Sequence, residues 1–127
     1  MKMRKILIVN DSASMLTIVI RTLRQAGFGD HTVHTAVNGA DALQQIEQEQ
    51  PDLVLSDWTM PECGGLDLLK QVRVQGYSMP FGFVTAEEND AERRHLAAVE
   101  GASFFIAKPF TSDSFQQALG PLLAGAC

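Results

Sequence analysis

Short apolar runs and amphipathic stretches alternate along the whole chain. Lys5–Asn10 (KILIVN) is nearly continuous in its apolar residues and reads as a buried strand. Ser14–Ala26 has helical spacing, with Ser14 as a plausible N-cap and Gly27 as a stop. Thr32–Ala36 is a second, weaker strand. Asn38–Gly39 is a turn and cap signal ahead of a helix that runs to about Glu49, with Leu43 and Ile46 on one face. Leu53–Ser56 reads as the third strand, and Leu66–Val74 as a helix carrying Leu66, Leu69 and Val72. Pro80–Val84 is the fourth strand, followed by a helix over Asp90–Glu100 that Gly101 stops. Ser103–Ala107 is the fifth strand, and a last helix begins near Thr111. Pro121 lacks a backbone N–H and is expected to kink or end that helix near Gly120. Five repeats of strand then helix predict an α/β fold, a parallel sheet covered on both faces, with right-handed crossovers.

Bulk properties narrow the class. The 127 residues suit one domain, with no room for an attached output domain. Hydrophobic residues make up 46% and charged residues 20%, the balance of a soluble globular protein. A net charge of −5 disfavours nucleic acid as a partner. No apolar run approaches a membrane span, and the four apolar residues after Lys5 are too few for a signal peptide. The expected location is the cytoplasm. Cys63 and Cys127 are too few for a disulfide framework, and neither they nor His31, His34 and His95 show metal-ligand spacing.

Chemistry enters where the strands end. The first ends in Asn10–Asp11, the third in Asp57, the fourth in Thr85, and the fifth in Lys108–Pro109. In an open parallel sheet all of these ends lie along one edge, and ligands bind there. Taken singly, Asp11 and Asp57 could be caps, Thr85 a turn residue, and Lys108 a solvated charge. Their joint occurrence at four strand ends points to one cleft holding carboxylates, an amide, a hydroxyl and an ammonium.

These residues and their spacing give the chain its resemblance. From KILIVNDSASM through LVLSDWTMPECGGLDLL and FVTAEE to AKPF, it resembles a receiver domain of the two-component response regulators. The likeness is closest to single-domain chemotaxis-type receivers. It implies a flavodoxin-like fold with strand order 2-1-3-4-5. It also implies that Asp57 accepts a phosphoryl group, and that Asp11, Asp57 and the backbone carbonyl of Thr59 hold Mg²⁺. Thr85 becomes the switch hydroxyl, Lys108 the lysine that holds a phosphoryl oxygen, and the Lys108–Pro109 bond a cis peptide. Mg²⁺ on one or two carboxylates plus phosphoryl oxygens is an ordinary octahedral arrangement. Trp58 reads as a packing residue of the following loop.

Several positions depart from the family pattern. Two acids usually follow the first strand, and here they read Asn10–Asp11. Asn10 keeps an oxygen for metal or its bound water but removes a charge, which predicts weaker Mg²⁺ binding. Phe105 stands where an aromatic moves with the switch hydroxyl, and without a hydroxyl its motion must be driven by packing. Gly64 stands where the family often has Asp. In the first helix, Met15, Ile18, Val19 and Leu23 form the expected buried face. Leu16 and Ile20 are then left on an adjoining face, as a surface for a partner or a second copy.

The leading function is therefore a phosphorylation-dependent switch or relay. A histidine kinase or phosphotransfer protein is the expected donor, and an unidentified protein the target, with neither nucleic acid nor membrane as partner. The chain is expected to be a monomer or weak homodimer. The alternative is a receiver that has drifted into a phosphorylation-independent interaction module. Enzyme readings fit poorly, beyond self-catalysed phosphoryl transfer and autodephosphorylation. An Asp-nucleophile phosphatase wants a second acid two residues on, where Asp57 has Thr59 and Asp11 has Ala13. A flavin carrier wants a phosphate-cradling loop, and NDSAS has no glycine.

Overall fold

The computed structural model describes residues 4–58, 64–85, 91–107 and 110–123, with backbone alone at 85, 91–94, 107 and 123. Its elements are β1 (Lys5–Val9), α1 (Ala13–Gln25), β2 (Thr32–Ala36), α2 (Gly39–Glu49) and β3 (Leu53–Asp57). They continue with α3 (Gly65–Val74), β4 (Phe81–Thr85), α4 (Ala91–Val99), β5 (Phe104–Ala107) and α5 (Ser112–Leu123). The five strands form one parallel sheet in the order β2-β1-β3-β4-β5. No helix among the described residues is long and apolar enough to cross a membrane.

Strand alternation divides the core in two. Ile6, Ile8, Leu53, Leu55, Val84 and Ile106 face α1 and α5, where Leu16, Val19, Leu23, Phe115 and Leu119 meet them. Leu7, Val9, Val54, Phe81 and Phe83 face the other way, against Ile46, Leu68, Leu69, Val72 and Ala97 of α2, α3 and α4. Residues buried on alternate faces explain why β1 and β3 read as unbroken apolar runs. Gly82 interrupts β4 for a steric reason. Its register partner is Phe104, whose ring occupies the space where a side chain at 82 would sit.

Three expectations need correction. The first concerns α1, whose N-cap is Ser12, two residues before the expected Ser14: Oγ of Ser12 accepts the Met15 N–H at 3.2 Å. The second concerns the face of α1. Leu16 is 9% exposed and part of the core, and Ile20 is half-buried against it, whereas Ile18 is 43% exposed. The exposed Leu16–Ile20 pair is therefore not present. The true stripe is Leu16, Val19, Thr22 and Leu23. Thr22 satisfies its hydroxyl on the Ile18 carbonyl at 2.8 Å, so a polar residue sits in the stripe and shifts its centre. The third concerns Pro121, which lies inside α5 and does not end it at Gly120. It falls in the last turn, where little helix follows for a missing N–H to disrupt.

Candidate functional site

The strand register assembles the site. Val9 at the end of β1 is level with Ser56 of β3, so Asn10 comes beside Asp57 and Asp11 follows. Across β3, Asp57 is level with Val84. Thr85 ends β4 one step further, level with Ala107, the last residue of β5. Four strand exits thus meet at the C-terminal edge of the sheet. Asp57 is half-buried there and Asp11 is exposed.

Asn10 does more than the sequence reading assigned to it. It is 3% exposed, and its Oδ1 accepts the Ser12 N–H at 2.9 Å. This Asx turn delivers Ser12 to its capping position, so Asn10 shapes the entrance to α1. The backbone N–H of Asn10 continues the sheet by donating to the Ala36 carbonyl at 3.0 Å.

The floor around Asp57 is rigid. The buried Ser56 hydroxyl donates to the Asp57 carbonyl at 2.9 Å, and the Trp58 N–H donates to the Val84 carbonyl at 3.3 Å. α3 returns directly onto the strand end, with the Gly65 N–H on the Trp58 carbonyl at 2.9 Å. A side chain at 65 would collide with the Asp57 carbonyl and the Phe83 ring. Only glycine lets the helix start this close.

An aromatic cluster flanks the acid. Trp58 meets Phe83 edge-on at 4.8 Å between ring centroids, and Phe105 stacks on Phe83 at 5.7 Å. Trp58 and Phe105 are 6.4 Å apart. Trp58 is thus a packing residue, anchored on the core of the α3 and α4 face. Phe105 is held by two aromatic neighbours, a contact that single-position reading could not supply.

Oxygen donors dominate this edge. Among the described residues no three His, Cys, Asp or Glu side chains form a group. Protein ligands from the described part of this edge would therefore be the two carboxylates and neutral oxygens, a hard donor set that suits Mg²⁺ with water and phosphoryl oxygen completing its shell. Thr59, Lys108 and Pro109 lie outside the described residues, as do the third ligand, the lysine role and the cis peptide expected of them. The Thr85 hydroxyl does as well.

A family model described as the response regulator receiver domain matches residues 6–120. Among solved structures, the chemotaxis protein CheY4 of Vibrio cholerae is 31% identical, covering 96% of this chain and 100% of its own, with a TM-score of 0.85. A putative response regulator from Chloroflexus aurantiacus is 30% identical over 97% of this chain and 99% of its own, with a TM-score of 0.83. A response regulator receiver domain protein from Clostridium thermocellum is 25% identical over 96% and 95%, also with a TM-score of 0.83.

Proposed function

The chain belongs to the response regulator receiver family, and on that premise we propose that it is a switch or relay in which Asp57 takes a phosphoryl group from a partner's phosphohistidine. Two-component signalling that depends on phosphorylation is the function of the family. The observation that carries the residue assignment is the register, which brings the exits of β1, β3, β4 and β5 to one edge around Asp57.

The proposed reaction is a simple displacement. A carboxylate oxygen of Asp57 attacks phosphorus, the P–N bond breaks, and its electron pair returns to the partner's imidazole. Phosphoryl transfer asks mainly for positioning and charge compensation. Positioning comes from the fixed strand end, the Ser56 and Gly65 contacts and the aromatic flank. Asp11 and Asp57, with the Thr59 carbonyl, would hold Mg²⁺, which when bound supplies positive charge to the phosphoryl oxygens. Lys108 is assigned a second phosphoryl oxygen, and Thr85 a hydrogen bond to a third. Phe105 would follow by repacking against Phe83 and Trp58. The phosphorylated population then binds its protein target differently. The cytoplasm is the proposed location, and a monomer or weak homodimer the proposed state.

One observation favours a second reading, a phosphorylation-independent interaction module. Asn10 supplies no charge, and its oxygen is already used by the Ser12 N–H. Intact mass after incubation with acetyl phosphate, with and without Mg²⁺, separates the two. One added phosphoryl group that needs Mg²⁺ and disappears in Asp57→Asn is the expected result. No addition at high Mg²⁺ would favour the module.

A further inference from the structure

Phe83 lies behind the site and is fully buried. In the strand register it stands level with Ser56 of β3 and with Phe105 of β5. Three pieces of the site edge meet its ring. Trp58, the residue after Asp57, packs on it edge-on at 4.8 Å, and Phe105 stacks on it at 5.7 Å. On a third side the ring fills the space that a side chain at 65 would need, so it lies against the start of α3.

These contacts leave the ring little freedom. In a close-packed interior a buried side chain moves only if its neighbours move with it. The backbone beside the ring is tied to the same turn, because the Val84 carbonyl accepts the Trp58 N–H at 3.3 Å. The Trp58 carbonyl in turn accepts the Gly65 N–H at 2.9 Å. Trp58 and Phe105 also meet directly, but at 6.4 Å and tilted, the longest separation of the three. Interacting rings lie about 4.5–7 Å apart, so that direct contact is near the outer limit. The tighter route from Phe105 to the residue after Asp57 runs through Phe83.

We infer that Phe83 is a positioning residue for phosphoryl transfer, which couples the packing of Phe105 to the placement of Asp57 through Trp58. The inference rests on the reading of Asp57 as the phosphoryl acceptor. Phe105 has no hydroxyl with which to report the state of the site, and ring packing against Phe83 takes that part. Phe83 touches no reacting atom. It sets the turn that carries the nucleophile.

A double-mutant cycle on the full chain tests this, with Phe83→Met and Phe105→Leu read singly and together. One readout is the rate of phosphoryl uptake from acetyl phosphate at saturating Mg²⁺, by intact mass. The other is the change in Trp58 emission when Mg²⁺ is added. Methionine fills irregular core space without a rigid ring. Urea unfolding confirms that each variant is folded, and Phe83→Leu takes the place of Phe83→Met if the latter does not fold. Each single variant should slow uptake by about fivefold, the scale of one aromatic pair, and should shrink the Trp58 response. The double variant should be no slower than the slower of the two. A double variant slower by the product of the single effects, about 25-fold, would show that Phe105 and Phe83 act independently and would overturn the inference. A Phe83→Met chain with the wild-type rate and the wild-type Trp58 response would overturn it too. No uptake by the wild-type chain would overturn the reading of Asp57 and this inference with it, whereas uptake with independent effects overturns this inference alone.

Discussion

The two edges of the sheet are closed in different ways. At the N-terminal edge, polar side chains reach across long stretches of sequence to bind backbone. Asp52 accepts the Lys5 N–H, and Lys5 Nζ reaches the Glu49 carbonyl. Gln116 of α5 donates to the Ala26 carbonyl, 90 residues away. Arg73 donates to the carbonyls of Tyr77 and Gly101, tying the end of α3 to the end of α4. At the C-terminal edge four side-chain bonds are local. Asn10 serves Ser12, Ser12 serves Met15, Asn38 serves Asp41, and Ser114 pairs with Thr111. Among the bonds named here, those at one edge staple distant parts of the fold together, while those at the other close turns on themselves. A site that must change shape belongs on the second kind of edge, because a local turn can rearrange without loosening its neighbours.

The sharpest test of this division is Arg73→Ala. It removes two charge-assisted hydrogen bonds from a guanidinium whose pKa burial lowers from its ordinary value. A loss of about 2 kcal/mol is expected, because such bonds are worth roughly 1.5–3 kcal/mol and these are partly exposed. Urea unfolding would measure it. Mg²⁺ affinity and phosphoryl uptake should change little. A large loss of either would mean that the edges are coupled.

Asn10→Asp probes the other edge. Two charges ~6 Å apart at an effective dielectric of ~20 interact by about 3 kcal/mol, and solvent at the exposed Asp11 reduces this. A gain in Mg²⁺ affinity of about tenfold is expected, or roughly 1.4 kcal/mol. Because Asp can accept the Ser12 N–H as Asn does, α1 should keep its start. An unchanged Mg²⁺ affinity in a metal titration would remove Asn10 from the metal site and leave it a turn residue alone.

Phe105→Leu should have a smaller effect. It deletes ring contacts with Phe83 and Trp58, for which about 1 kcal/mol is expected. The Trp58 fluorescence response to Mg²⁺ and acetyl phosphate should shrink with it. An unaltered response would separate Phe105 from the site.

The same contrast explains what could be read from the sequence. Strands β1 to β5 and their helices follow from patterning, because burial on one or two faces leaves a period in the chain. Asn38 as a cap was legible because its bond spans three residues. Arg73 was not, since nothing in the local sequence says that its guanidinium meets a carbonyl 28 residues away. Ser12 was displaced by Ser14 because serines on both sides of Ala13 offered caps, and only the Asx turn of Asn10 selects between them. The face of α1 was misread because counting apolar residues omits a threonine that satisfies itself. Asp57 and Asp11 stood out because strand exits converge in any such sheet. The stack of Phe105 on Phe83 required the β4–β5 register.

The smallest predicted effect lies between two adjacent glycines at the site. Gly65 cannot take a side chain, because the Asp57 carbonyl and the Phe83 ring occupy that space. Gly64 can. Its φ of −69° and ψ of 168° are open to any residue, and among the described residues a Cβ there would meet only the Trp58 carbonyl at 3.5 Å, an ordinary contact. Gly64 is the N-cap of α3 and makes no side-chain cap. Gly64→Asp therefore adds an acceptor for the first-turn N–H groups and a charge that favours the helix dipole. The capping gain over glycine is a few tenths of a kcal/mol. Reduced freedom of the unfolded chain adds about 0.4–1 kcal/mol. A stabilisation of roughly 0.5–1 kcal/mol by urea unfolding is expected from these two terms. If the local edge is also the moving edge, fixing the start of α3 should slow or speed phosphoryl uptake by more than so small a stability gain would suggest. An uptake rate that stays the same while stability rises would show that α3 stands still when Asp57 reacts.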